Sequence, residues 1–199
     1  MPGLGNDESS GLYSFQTELR MWNGTGYDTF GWDPDGDPSV EGSDHKWVDD
    51  YLAVVENVDM PAGTAVWIKI PTESLNATLT ISGEVKTDSM TTTDVSAGFN
   101  LICNPFPGAT SIQDIQPDAN LPGLAYDEAS GLYSFQTEMR VWNGTGYDTY
   151  GWDPDGDPSI EGSDHKWVDD YLAVVDLTIP VGHGFWIKTP TSGAISFKK

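Results

Sequence analysis

The stretch "ELRMWNGTGYDTFGW", Glu18 to Trp32, alternates side-chain type on both sides of Asn23-Gly24. A period of two marks a half-buried strand, and Asn-Gly between two such runs is a strong hairpin signal. Further short runs follow the same chemistry: "TAVWIKI" (64–70), "ATLTISGEV" (77–85), "FNLIC" (99–103), "GFWIKT" (184–189) and "AISFKK" (194–199). They are rich in β-branched or aromatic residues and bounded by Gly, Pro, Asn or Ser. No window keeps an apolar period of 3.6 over three turns. The expected fold is all-β, built of small antiparallel β-sandwich or barrel units.

The hairpin is written twice. Ser10–Val55 aligns without a gap to Ser130–Val175, and only four of the 46 positions differ. The four pairs are Leu19/Met139, Met21/Val141, Phe30/Tyr150 and Val40/Ile160. Each exchanges one bulky apolar or aromatic residue for another, the change that a packed core tolerates best, so these positions are expected to face inward. After a one-residue deletion the match continues through "PAGTAVWIK" (61–69) and "PVGHGFWIK" (180–188). Two tandem units are expected, at 1–84 and 85–199. "SAGFNLICNPFPGATSIQDI" (96–115) precedes only the second copy, so the first unit is expected to lack its N-terminal third. Such a chain reads as part of a longer array or as one that begins with an incomplete domain. An open strand edge is expected there, inviting strand addition from another chain.

Composition narrows the partners. Thirty-one acidic against nine basic residues give a formal charge of −22. That argues against nucleic acid and anionic lipid, both of which demand a basic face. The single cysteine, Cys103 in "FNLIC", rules out an intrachain disulfide and reads as a small buried hydrophobe. No apolar run approaches the roughly 20 residues of a membrane span. The first residues lack the form of a signal peptide.

Between the hairpin and its continuation lies "GWDPDGDPSVEGSDHKWVDD" (31–50), seven carboxylates against one lysine, repeated at 151–170. Asp33, Asp35 and Asp37, spaced by two and followed by Glu41 and Asp44, could converge on one hard cation; Asp153, Asp155, Asp157, Glu161 and Asp164 repeat the set. Calcium takes about 6–8 oxygens, and oxygen donors favour it over a transition metal. The glycine stands fourth, not sixth, so the stretch is no EF-hand. A solvated acidic turn is the competing reading, although two carboxylates 4 Å apart repel by about 4 kcal/mol at an effective dielectric near 20.

All eight tryptophans belong to the repeat. Trp22 and Trp67, inside apolar strands, read as core. Trp32 and Trp47, with their copies Trp152 and Trp167, bracket the acidic loops and are the candidates for a stacking platform.

"GFNLICNPFP" (98–107), "VWNGTGYDTY" (141–150) and "VGHGFWIKTPTSGAISF" (181–197) form an ordered trio. Together they resemble a β-rich module of secreted bacterial surface proteins, with a G-[WF]-N-L-I-x-N-P-[YF]-P opening, a central W-[ND]-G hairpin and a closing G-x-[GA]-F-[WF]-[VI]-K strand. The resemblance spans about 95–199, and the first unit only from its hairpin onward. It implies secretion or a bacterial cell surface and no catalytic residues. The expected function is a non-catalytic repeat module with calcium-binding acidic loops, serving attachment or assembly by self-association or through neighbouring repeats. The alternative is calcium-assisted carbohydrate binding. An enzyme is disfavoured: Asp49 and Asp50 are adjacent, and neighbours on a strand point to opposite faces.

Overall fold

A computed structural model describes residues 4–7, 12–35, 44–71, 86–155 and 164–199. The chain is all-β, about half strand, and no helix among the described residues is long and apolar enough to cross a membrane. It divides into two compact units, one of Met1–Met60 with Val66–Gly83 and one of Pro61–Ala65 with Glu84–Lys199. Pro61–Ala65 thus differs from the division expected from the repeat. The cause is local pairing, since the Cys103 N–H donates to Gly63 O at 2.8 Å and Thr64 bridges Ile102.

In the first unit, β1 (Leu4–Asp7) pairs with β2 (Leu12–Phe15). Four further strands, β3 (Glu18–Trp22), β4 (Tyr27–Asp33), β5 (Lys46–Val48) and β6 (Val66–Lys69), form an antiparallel sheet in the order β5-β4-β3-β6. The β3–β4 turn is held by Asn23, whose Oδ1 accepts from the Thr25 and Gly26 N–H groups while its Nδ2 donates to Asp28. Gly24 sits at φ 98°, a left-handed value that glycine reaches without Cβ strain. The expected hairpin is present in both copies, with Asn143 and Gly144 reproducing each feature.

The second unit opens with β7 (Met90–Val95), β8 (Gly98–Cys103), β9 (Thr110–Ser111), a 3-10 turn (Ile112–Asp114) and β10 (Ile115–Pro117). The repeat follows as β11 (Leu124–Asp127), β12 (Leu132–Phe135), β13 (Glu138–Trp142), β14 (Tyr147–Asp153) and β15 (Lys166–Val168). The last strands are β16 (Thr178–Ile179), β17 (Gly184–Thr189) and β18 (Gly193–Lys198). A five-stranded sheet, β15-β14-β13-β17-β8, accompanies a three-stranded one, β10-β18-β7, and the pair β16-β9.

The second unit's core gathers Met139, Trp152, Trp167, Phe185 and Ile187 from the five-stranded sheet with Ile112, Ile115, Ile195 and Phe197. The exchange positions lie where a core would put them. Leu19 and Met139 are buried, and Val141 and Tyr150 pack against the core. Val40 and Ile160 lie outside the described residues, as does the expected strand 77–85.

Candidate functional site: the outer aromatic face

Alternation along β13 sends Met139 and Val141 inward, so Glu138, Arg140 and Trp142 project from the other face of the sheet. Register places Tyr147 opposite Trp142, Trp186 opposite Arg140, and Phe99 and Glu138 on either side of Lys188. An aromatic band results. The Trp142 and Tyr147 rings meet edge to face at 5.1 Å, and Trp186 Nε1–H donates to the Tyr147 hydroxyl at 3.3 Å. Phe99 meets Trp186 at 6.0 Å, and the Arg140 guanidinium stands 5.0 Å from the Phe99 centroid, a cation–π distance. Trp142 is 46% exposed.

Charges accompany the band. The Arg140 Nη2 donates to Glu138 Oε2 at 2.8 Å, and Lys188 Nζ donates to Oε1 at 3.0 Å. The first unit repeats this triad, with Arg20 Nε at 2.7 Å and Lys69 Nζ at 2.6 Å from the Glu18 carboxylate. Burial alone would push the Glu18 carboxyl up, but hydrogen bonds and charge from Lys69 and Arg20 more than offset it and hold it below its ordinary value. Trp22 and Tyr27 repeat the edge-to-face pair at 5.1 Å.

This overturns the division of tryptophans read from the sequence. Trp22, Trp67, Trp142 and Trp186 belong to the outer face, whereas Trp152 and Trp167 are core residues. Trp167 is 0% exposed, and its Nε1–H donates to Ile115 O at 2.6 Å, leaving no ring face for a ligand. Trp32 and Trp47 are partly buried, with centroids 5.5 Å apart. A usable signal was present: Leu19 and Met21 mark the inward parity of β3, which excludes Trp22, and Phe30 marks that of β4, which includes Trp32.

The acidic loops divide. Asp37, Glu41, Asp157 and Glu161 lie outside the described residues. Asp33 is buried, and its Oδ1 accepts from the Asp35 N–H at 3.1 Å; Asp153 does the same for Asp155 at 3.2 Å. These are Asx turns, in which the side chain replaces a backbone acceptor. Asp44 Oδ2 lies 3.2 Å from His45 Nδ1, and Asp164 and His165 repeat that spacing. Among the described residues, no three acidic, histidine or cysteine side chains form a group able to hold a metal ion. Asp49 has a local role: its Oδ1 accepts from the Tyr51 and Ala53 N–H groups, both at 2.9 Å, fixing the turn that carries Leu52 at φ 62°. Cys103 is partly buried, which raises its thiol pKa, and its Sγ donates to Thr64 O at 3.2 Å.

Comparison with protein-family models, curated proteins and solved structures finds no significant match to this chain.

Proposed function

We propose that this chain is a non-catalytic β-repeat module of a bacterial surface, in which paired acidic loops take calcium and the repeats serve attachment or assembly. The observation that carries the reading is the duplication itself. Glu18–Trp22 pairs with Tyr27–Gly31, and Glu138–Trp142 with Tyr147–Gly151, in the same register. The turn bonds, the ion triad and the Asp49 and Asp169 loops recur in both copies. A chain that keeps 42 of 46 positions through duplication repeats a surface as well as a core. Repeated surfaces suit multivalent attachment or linear assembly, where linked weak contacts add to avidity. The resemblance to secreted surface modules supports the same reading.

The test is light scattering over a hundredfold concentration range at millimolar calcium. Mass that grows with concentration and reverts in chelator is the expected result. A chain that stays monomeric throughout, and gains no heat stability from calcium, would overturn the reading.

Carbohydrate recognition is the second reading, and one observation favours it. The band of Trp142, Tyr147, Trp186 and Phe99 offers aromatic surface beside charged donors and acceptors. Sugar recognition combines such stacking surfaces with a few placed polar groups. A glycan array read with wild type and Trp142→Ala decides it: signal lost in the variant supports the reading, and a blank array for both removes it.

A further inference from the structure

The two copies act as an internal control, because near-identical sequence in the same register meets different surroundings. Met60 of the first copy is 38% exposed, whereas its counterpart Ile179 is 1% exposed. Trp47, Val66 and Ile68 are partly exposed, while Trp167, Phe185 and Ile187 are fully buried. Strand chemistry cannot account for the contrast between Trp47 and Trp167, since β5 and β15 have the same sequence and pair in the same register.

In the second unit the cover is a short segment, Thr110–Pro117. Ile112 and Ile115 drive their side chains into the core. Between them Gln113 clips the sheet edge: its Oε1 accepts from the Trp167 N–H at 3.0 Å, and its Nε2 donates to Trp167 O at 3.0 Å and Val175 O at 2.7 Å. The Ile112 N–H donates to Leu177 O at 2.8 Å, and Thr110 pairs with Ile179. Among the described residues of the first unit, no segment makes these contacts. The receiving frame is nevertheless present there, since the Val55 N–H donates to Trp47 O at 2.8 Å as Val175 does to Trp167 O at 3.0 Å.

We propose that the Trp47–Met60 face of the first unit is a docking surface for a second peptide segment of the Thr110–Pro117 kind. The occupant is defined by chemistry: two isoleucines three residues apart, with a glutamine directly after the first. The isoleucines would cover Trp47 and Met60, and the glutamine would bridge the Trp47 N–H and the Val55 carbonyl. Residues 110–117 are engaged in the second unit, so they are not the occupant of the first. Backbone and amide bonds then give strength while the apolar pair gives selectivity, as in other cases where a strand edge accepts a foreign segment. The inference rests on the assembly role proposed above and names the contact by which it would occur.

The test uses the full chain and a fluorescent peptide with the sequence of residues 109–121, titrated by anisotropy in chelator. Saturable binding to one site is expected. A peptide carrying Gln113→Ala and Ile115→Ser should bind at least tenfold more weakly. Met60→Glu in the chain, at an exposed position that leaves the fold intact by circular dichroism, should weaken binding by a similar factor. Absence of saturable binding would overturn the proposal, as would equal binding of the substituted peptide. Affinity unchanged by Met60→Glu would also overturn it, by assigning the peptide to exchange within the second unit. Because calcium is removed throughout, none of these results bears on the calcium-dependent scattering measurement.

Discussion

Gln113 holds Trp167 by both of its backbone polar groups, accepting from its N–H and donating to its carbonyl, each at 3.0 Å. The two residues are 54 positions apart, so the bond joins the leading segment of the second unit to the strand beyond its acidic loop. Gln113→Ala removes this clip and its bond to Val175. Bonds of this type contribute about 0.5–1.5 kcal/mol each, and stranding buried partners costs more, so a loss of about 2–4 kcal/mol is expected. Chemical denaturation should register the loss in the second unit. An unchanged midpoint would mean that water replaces the amide at no cost.

The glycine of each β4-type strand is required by close approach. A Cβ at Gly151 would overlap the Phe135 ring, and one at Gly31 would overlap Phe15 in the same way. Neither glycine has a positive φ, so the cost of alanine is steric crowding, about 1–3 kcal/mol for an overpacked site. Gly151→Ala should therefore lower the thermal midpoint, and Gly151→Ala with Phe135→Leu should recover part of it. A double variant no better than the single one would sink this account.

Glu18 makes the first unit acid-sensitive. Its carboxyl is held below the ordinary value of 4.5, so it binds fewer protons folded than unfolded near that pH. Its stabilising contribution is complete above the unfolded value and falls away as pH drops through the lower folded one. Glu18→Gln should lower stability at pH 7 by about 1–3 kcal/mol, the range for hydrogen bonds to charged groups. Between pH 6 and pH 3 the variant should lose less than the parent. Parallel stability curves over that window would contradict the argument.

Calcium should raise the melting temperature. At an affinity typical of extracellular modules, millimolar calcium adds about 1 kcal/mol per site. Asp35→Asn with Asp155→Asn should abolish most of the gain. Scanning calorimetry with calcium and then chelator measures it, and an identical trace in both leaves the acidic loops as solvated turns.

Much of this protein was legible from residues alone. Asn23-Gly24 between alternating runs sets the hairpin, because side-chain period and turn chemistry are local properties. The exchanges Leu19/Met139 and Phe30/Tyr150 mark the inward face, and strand parity then assigns Trp22 and Trp142 outward. What no local pattern carries is which copy of a surface finds a cover. Trp47 and Trp167 sit in the same sequence and the same register, yet only Trp167 is sealed. Ile112, Gln113 and Ile115 do the sealing from more than 50 positions away in the chain. Burial depends on which apolar surfaces meet in space, and tertiary packing alone brings together residues so distant in sequence.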